Sequence, residues 1–126
     1  MDIQVSGGPM TAKSLPPQLL ERIAERFRVL AEPLRLQILT ALYDREQTVT
    51  GLMAVLGQSH ANSSKHLQLL YKAGFVERRK AGLHVYYRLA NEDVFQLCDI
   101  MCRRLQVELD HQQGMLGAII DATPDA

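Results

Sequence analysis

Between two helix-forming runs, TVTGLMAVL and HANSSKHLQLLYK, the chain spends only Gly57, Gln58 and Ser59. No other feature narrows the fold as much, because so tight a connection between two helices is a helix-turn-helix signal. Gly57 supplies a stop that tolerates a left-handed backbone. Ser59 is a good cap for the helix that follows, which should run to Gly74. The first helix has Leu52, Met53, Val55 and Leu56 as its apolar residues. In the second, Ser63, Leu67, Leu70 and Tyr71 fall on one stripe at helical spacing. The opposite face carries His60, Ala61, Ser64, Lys65 and Gln68. A helix made only for a core would not open with Ser, His, Asn, Ser, Ser, Lys and His, so one face is meant for something other than this protein.

The flanks extend the pattern. Leu19, Leu20, Ile23, Phe27 and Leu30 recur at helical spacing after Pro16 and Pro17, which suit a helix start. A second helix begins near Pro33, with Leu34, Ile38 and Leu42 on one face and Glu32 as a weaker cap than Asp would be. After Gly74, FVERRKAGLHVYYRL places β-forming residues on both sides of KAG, which predicts a hairpin with a basic, glycine-containing tip. Asn91 should cap a last helix with Glu92 and Asp93 in its first turn, reaching about Gln113 and ending at Gly114 or Gly117. The expected fold is mainly α with a small β-hairpin, a winged helix-turn-helix in the order α-α-α-α-β-β-α. Residues 1–14 read as a flexible tail, 15–113 as the folded domain and 114–126 as a C-terminal tail.

At 126 residues, 47% of them apolar, the chain can bury one small core and little more. No apolar run is long enough to span a membrane, and the N-terminus lacks the apolar segment of a secretory signal. A cytoplasmic protein with no membrane partner is expected. The net charge of zero conceals a division. Residues 59–89 hold six basic side chains against Glu77 alone, whereas residues 90–126 hold seven acids against Arg103 and Arg104. Such asymmetry can steer a polyanion to one face.

These features together point to duplex DNA. Short polar side chains let a helix axis sit deep in the major groove. Ser, Asn and His can donate to or accept from base edges, and Lys65 can reach a phosphate or a guanine. Arg78, Arg79 and Lys80 on the hairpin could neutralise phosphates along the backbone or minor groove. The candidate DNA contacts are therefore His60, Ala61, Asn62, Ser64, Lys65, Gln68, Arg78, Arg79, Lys80 and His84. His66 suits a structural hydrogen bond better than a base contact. Each piece alone has a plainer explanation: a serine cap, a solvated basic hairpin, ordinary surface histidines at His84 and His111. Their order and spacing make the joint reading the stronger one. A protein-binding adaptor is the remote alternative. A thiol enzyme is disfavoured, because no glycine-rich cradle is present and His111 lies nine residues beyond Cys102.

The segments LAEPLRLQILTAL and QSHANSSKHLQLLYKAGFVERRKAGLHVYYRL resemble the ArsR/SmtB family of bacterial winged-helix repressors, over about residues 13–109. The resemblance implies a homodimer through the first and last helices, a roughly palindromic double-stranded operator, and release from DNA by an effector. It places the family's DNA-contacting positions on His60, Ala61, Ser64 and Lys65. His60 stands where the family often has Gln, and Ser63 where it often has Val.

Cys98 and Cys102 are the only cysteines. Four apart on a helix, their Cβ atoms would lie roughly 5–6 Å apart on one face, and two thiolates so placed can converge on one soft ion. Three readings stay open. The pair could bind a soft metal or metalloid, could respond to oxidants or sulfur species, or could be inert packing, since Cys98 sits in the apolar stripe Val94, Leu97, Met101, Leu105 and Leu109 with Cys102 at its edge. A disulfide between helical i,i+4 positions would be strained. Arg103 and Arg104 would favour the Cys102 thiolate, and Asp99 would oppose that of Cys98. Against the family's known sites, the Cys-x-Cys of the third helix is missing from TGLMAVL, and so is a cysteine on the second helix. Of the four last-helix positions of the zinc type, Asn91, Asp93, Arg104 and Val107, three cannot serve. Because related members carry thiol ligands for arsenic or antimony on the last helix, As(III), Sb(III) or another soft metal ion is the first effector to test.

Overall fold

A computed structural model describes the backbone of residues 15–122 and the side chains of residues 15–115. The expected tail at 1–14 lies outside the described residues. The chain divides into two compact units, one ending at Ala90 and one starting at Asn91.

The first unit holds α1 (Pro17–Leu30), α2 (Pro33–Ala41), β1 (Gln47–Thr48), α3 (Val49–Leu56), α4 (His60–Lys72), β2 (Val76–Ala81) and β3 (His84–Leu89). The caps follow local chemistry. The Ser59 hydroxyl accepts from the Asn62 amide at 3.1 Å, and the Thr48 hydroxyl from Gly51 at 3.1 Å. The Glu32 carboxylate caps α2 by accepting from the Leu34 amide at 3.2 Å. Gly57 ends α3 at φ 67°, a left-handed conformation in which a Cβ would be strained.

Burial is concentrated where α2, α3, α4 and the sheet meet. Ile38, Leu39, Leu42, Leu52, Leu67, Leu70, Val76 and Tyr87 are the buried apolar residues of this unit. Leu39 escaped the face drawn through Leu34, Ile38 and Leu42, and Leu34 is only half-buried. The stripe on α4 is confirmed at Ser63, Leu67 and Leu70 but not at Tyr71, which is exposed. Its ring is covered from outside by Arg78 instead. On α1 no residue is buried; Leu20 and Phe27 of its apolar face are exposed.

The sheet has three strands in the order β1-β3-β2, all antiparallel. The two-residue β1 was not foreseen, being too short to show an alternation of its own. It exists because Gln47 and Thr48 pair with Tyr87 and Tyr86. The hairpin register runs from Val76 opposite Leu89 to Ala81 opposite His84. Its turn is therefore Gly82-Leu83, and Arg78, Arg79 and Lys80 lie in the strand rather than at the tip.

The second unit is one helix, α5 (Asp93–Ala122), entered through an Asn91 side-chain oxygen that accepts from the Asp93 amide at 3.0 Å. It passes through Gly114 and Gly117, so the boundary expected at residue 113 falls inside a helix. Glycine costs a helix interior about 1 kcal/mol relative to alanine but does not by itself stop it. Among the described residues only Gly57, Gly74 and Gly82 take a positive φ. No described helix is long and apolar enough to cross a membrane.

Candidate nucleic-acid interface

With Ser63, Leu67 and Leu70 turned inward, the period of α4 turns His60, Ala61 and Lys65 out to solvent. Asn62, Ser64 and Gln68 lie half-buried along its flanks. Asn62 is already engaged, its amide donating to the Gln58 side chain at 2.8 Å. His66 points away from this face. Its Nδ1 lies 3.1 Å from Arg35 Nη1, while Arg35 Nε donates to the Val29 carbonyl at 2.6 Å. Burial first, and the neighbouring Arg35 charge second, hold the His66 pKa below its ordinary value, so the neutral ring accepts from the guanidinium. His66 thus joins α4 to α2 and to the end of α1.

The wing distributes its cations unequally. The guanidinium of Arg79 lies over the Tyr86 ring, 4.7 Å from its centroid, and grips Glu46 with two hydrogen bonds of 2.8 Å. Arg79 and Thr48 both face Tyr86 in register, so this contact runs across the sheet from β2 over β3 to β1. The hydrogen bond from Arg79 also holds the Glu46 carboxyl below its usual range. Arg78 points the other way and stacks over Tyr71 of α4, 4.0 Å from the ring centroid. Arg88 is paired with Glu77 at 2.8 Å. Lys80 has no carboxylate partner among the described residues, and neither does Lys65. His84 stands at the wing's edge, 6.3 Å from the Tyr86 ring, and with Arg45 and Thr50 lines a cleft of ≈ 480 Å³ beside the start of α3. Glu46, Tyr71 and Tyr86 were missed as parts of this surface. Glu46 and Arg79 are 33 residues apart, and no local pattern links them.

Cys98 and Cys102 are free and exposed, one turn apart on α5. Arg103 lies 3.7 Å from Asp99, so these two charges answer each other next to the thiols. Of the apolar stripe only Val94 is buried; Leu97, Met101, Leu105 and Leu109 are exposed. Among the described residues no group of three or more His, Cys, Asp and Glu side chains could hold a metal ion. Two soft donors of the right chemistry are present, without a third beside them among the described residues.

A polar helix face docked by its buried stripe, flanked by a basic hairpin, defines a winged helix-turn-helix surface. A family model described as a helix-turn-helix domain matches residues 30–79. The regulator KmtR of Mycobacterium tuberculosis is 40% identical over 83 residues, which cover 66% of this chain and 64% of KmtR. The chain thus spans just under two thirds of that relative. An uncharacterized regulator of the same organism, Rv0081, is 36% identical over 94 residues, 74% of this chain and 82% of that one. Its crystal structure superposes with a TM-score of 0.67, at 31% identity over 78% of this chain and 98% of that one. A homodimeric winged helix-turn-helix DNA-binding domain from Mycobacterium bovis, described as a possible ArsR-family regulator, superposes with a TM-score of 0.65 at 33% identity, covering 83% and 94% of the two chains. The chain belongs to the ArsR/SmtB family of winged helix-turn-helix transcriptional regulators, a family of regulators and not of enzymes.

Proposed function

We propose that this protein is a homodimeric, sequence-specific transcriptional repressor of the cytoplasm, and that a thiol-reactive effector at Cys98 and Cys102 releases it from a palindromic operator. The observation that carries the DNA reading is α4. Its inner stripe is fully buried while His60, Ala61 and Lys65 face solvent beside the wing. In the major groove, His60 and Ser64 would meet base edges, Ala61 would let the helix approach closely, and Lys65 would take a guanine or a phosphate. Asn62 and Gln68 would border the contact, with Lys80 and His84 on the adjacent backbone.

The dimer is supported by what one chain leaves uncovered. Leu20 and Phe27 on α1 and Leu97, Met101, Leu105 and Leu109 on α5 are exposed apolar side chains. Pairing through these helices would cover them and set two copies of α4 about 34 Å apart, one turn of DNA. Cys98 and Cys102 lie on the same helix as that face. They would supply two sulfur ligands to As(III), Sb(III) or another soft ion, with the remaining ligand from the other subunit, water or a small thiol. Their exposure equally opens them to oxidation, which keeps a redox or sulfur-species response as the second reading. Either change at the thiols would alter the dimerising helix and disfavour the spacing that fits DNA. Coupling of this kind amounts to about 1–3 kcal/mol, a five- to 150-fold change in affinity.

The test is fluorescence anisotropy of the reduced protein on a duplex from its own upstream region. Arsenite, antimonite, zinc, cadmium, peroxide and a polysulfide are added in turn, with the Cys98→Ser/Cys102→Ser variant alongside. Release by one agent, lost in the variant, is the expected result. Tight binding indifferent to all six agents removes the thiol switch and leaves the repressor.

A further inference from the structure

The most exposed large apolar side chain described is Leu83, at 98%. It occupies the second position of the two-residue wing turn, after Gly82 at φ 63°. Glycine at the first central position is what a type II′ hairpin turn requires. Six registered residue pairs, from Val76–Leu89 to Ala81–His84, hold the strands that carry this turn. Leu83 is therefore presented at a fixed point, with no surface among the described residues to cover it.

The charge around it selects among partners. The hairpin carries Arg78, Arg79, Lys80 and Arg88 against Glu77. Glu77 answers Arg88, and Glu46 answers Arg79. Arg78 and Lys80 are left unanswered among the described residues, on the same side of β2, with Lys80 three residues from the tip. An apolar point beside cations that no carboxylate among the described residues neutralises suits a polyanion that also offers apolar walls. The minor groove does so through its deoxyribose rings. The stack of Arg78 on Tyr71 joins the wing to α4, the helix that carries the recognition face.

We propose that Leu83 enters the minor groove beside the bases read by α4 and acts there as an apolar wedge, conferring a preference for an A·T-rich, deformable step. This rests on the reading that the chain binds DNA. A leucine on the groove floor makes no hydrogen bond. It is obstructed by the amino group that guanine places there, and it fits best where a pyrimidine–purine step opens at low cost. Sequence would then be read at a flanking position with no polar contact.

The experiment begins with selection of duplexes from a random pool by the full chain. Affinities of the wild type, Leu83→Ala and Leu83→Asn are then measured on the selected duplex, and on one whose flanking A·T step is replaced by G·C. The wild type should discriminate between the two duplexes. Leu83→Ala should bind the selected one about tenfold more weakly and should lose the discrimination. Its melting temperature and salt dependence should match the wild type, since the side chain is 98% exposed and carries no charge. Equal affinity of Leu83→Ala and wild type overturns the wedge while leaving DNA binding intact. Enrichment of no duplex by the wild type overturns the DNA reading and the wedge with it. Leucine-dependent sedimentation with phosphatidylserine vesicles, without an effect on DNA, overturns the wedge in favour of a lipid surface.

Discussion

Helices α4 and α5 carry the same kind of signal and come to different ends. Both place apolar residues at helical spacing, and both set polar side chains opposite. On α4, Ser63, Leu67 and Leu70 are fully buried. On α5, Leu97, Met101, Leu105 and Leu109 remain exposed, and only Val94 is covered. Period alone says which residues share a face, not what covers that face. For α4 the cover is within the chain, in α2, α3 and the sheet. For α5 the described residues supply no such cover, and a second copy of the chain is the occupant proposed above.

The sharpest way to break this contrast is to change one leucine on each helix. Leu67→Ala should cost about 2–5 kcal/mol in urea unfolding, because a fully buried leucine leaves both a lost transfer energy and a cavity. Leu105→Asp should leave the fold of the first unit intact but halve the mass in sedimentation, toward the 14.2 kDa of one chain. If Leu105→Asp sediments as the wild type does, α5 is not the dimer surface.

Within the wing the contrast is between two neighbouring cations. Lys80 has no carboxylate partner among the described residues, whereas Arg79 is held by Glu46 through two hydrogen bonds. A cation that reaches a phosphate contributes close to one counterion to the salt dependence of binding. Lys80→Ala should therefore lower the slope of log K against log salt by about 1. Arg79→Ala should lower it by less, since Glu46 would compete with phosphate for the guanidinium. Equal losses would mean that the Glu46 contact opens on DNA.

A smaller effect is expected inside α4. The Ser63 hydroxyl is buried with no hydrogen-bond partner among the described residues. Leaving such a group unpaired costs about 1–3 kcal/mol, part of which the smaller alanine recovers. Ser63→Ala should match or exceed wild-type stability in urea, unlike most buried substitutions. A clear loss would show that the hydroxyl has a partner such as a buried water.

How much of this was legible in the sequence follows from the range over which each cause acts. The cap at Ser59 and the stops at Gly57 and Gly74 are set by residues within three or four positions, and they could be read directly. The α4 stripe was legible except at Tyr71, where a cation from β2 replaces core packing. The Glu46–Arg79 clamp and the strand β1 depend on partners far along the chain. Arg78, Arg79 and Lys80 looked equivalent because composition cannot show which of them already has a partner. The end of α5 was misjudged because glycine weakens a helix without terminating it, unless the chain needs a left-handed turn there.

The smallest predicted effect concerns pH and tests whether α4 is anchored from behind as well as from below. The groups that act on His66 are Arg35 and Lys65, which lower its pKa, and Glu32, which opposes them, with burial the largest cause. A histidine whose folded pKa lies below the unfolded value of 6.5 is held neutral by the fold. The unfolded chain then binds more protons, so stability is fully present above pH 6.5 and is lost as pH falls toward the folded value. His66→Gln keeps an acceptor for Arg35 but cannot titrate. Between pH 7.5 and 5 the wild-type melting temperature should fall more than that of His66→Gln, with the two curves parallel above neutrality. Parallel curves throughout would mean that His66 is no more reluctant to take a proton in the fold than out of it. The Arg35 contact would then be a passing surface encounter and not the anchor that ties the back of α4 to α2.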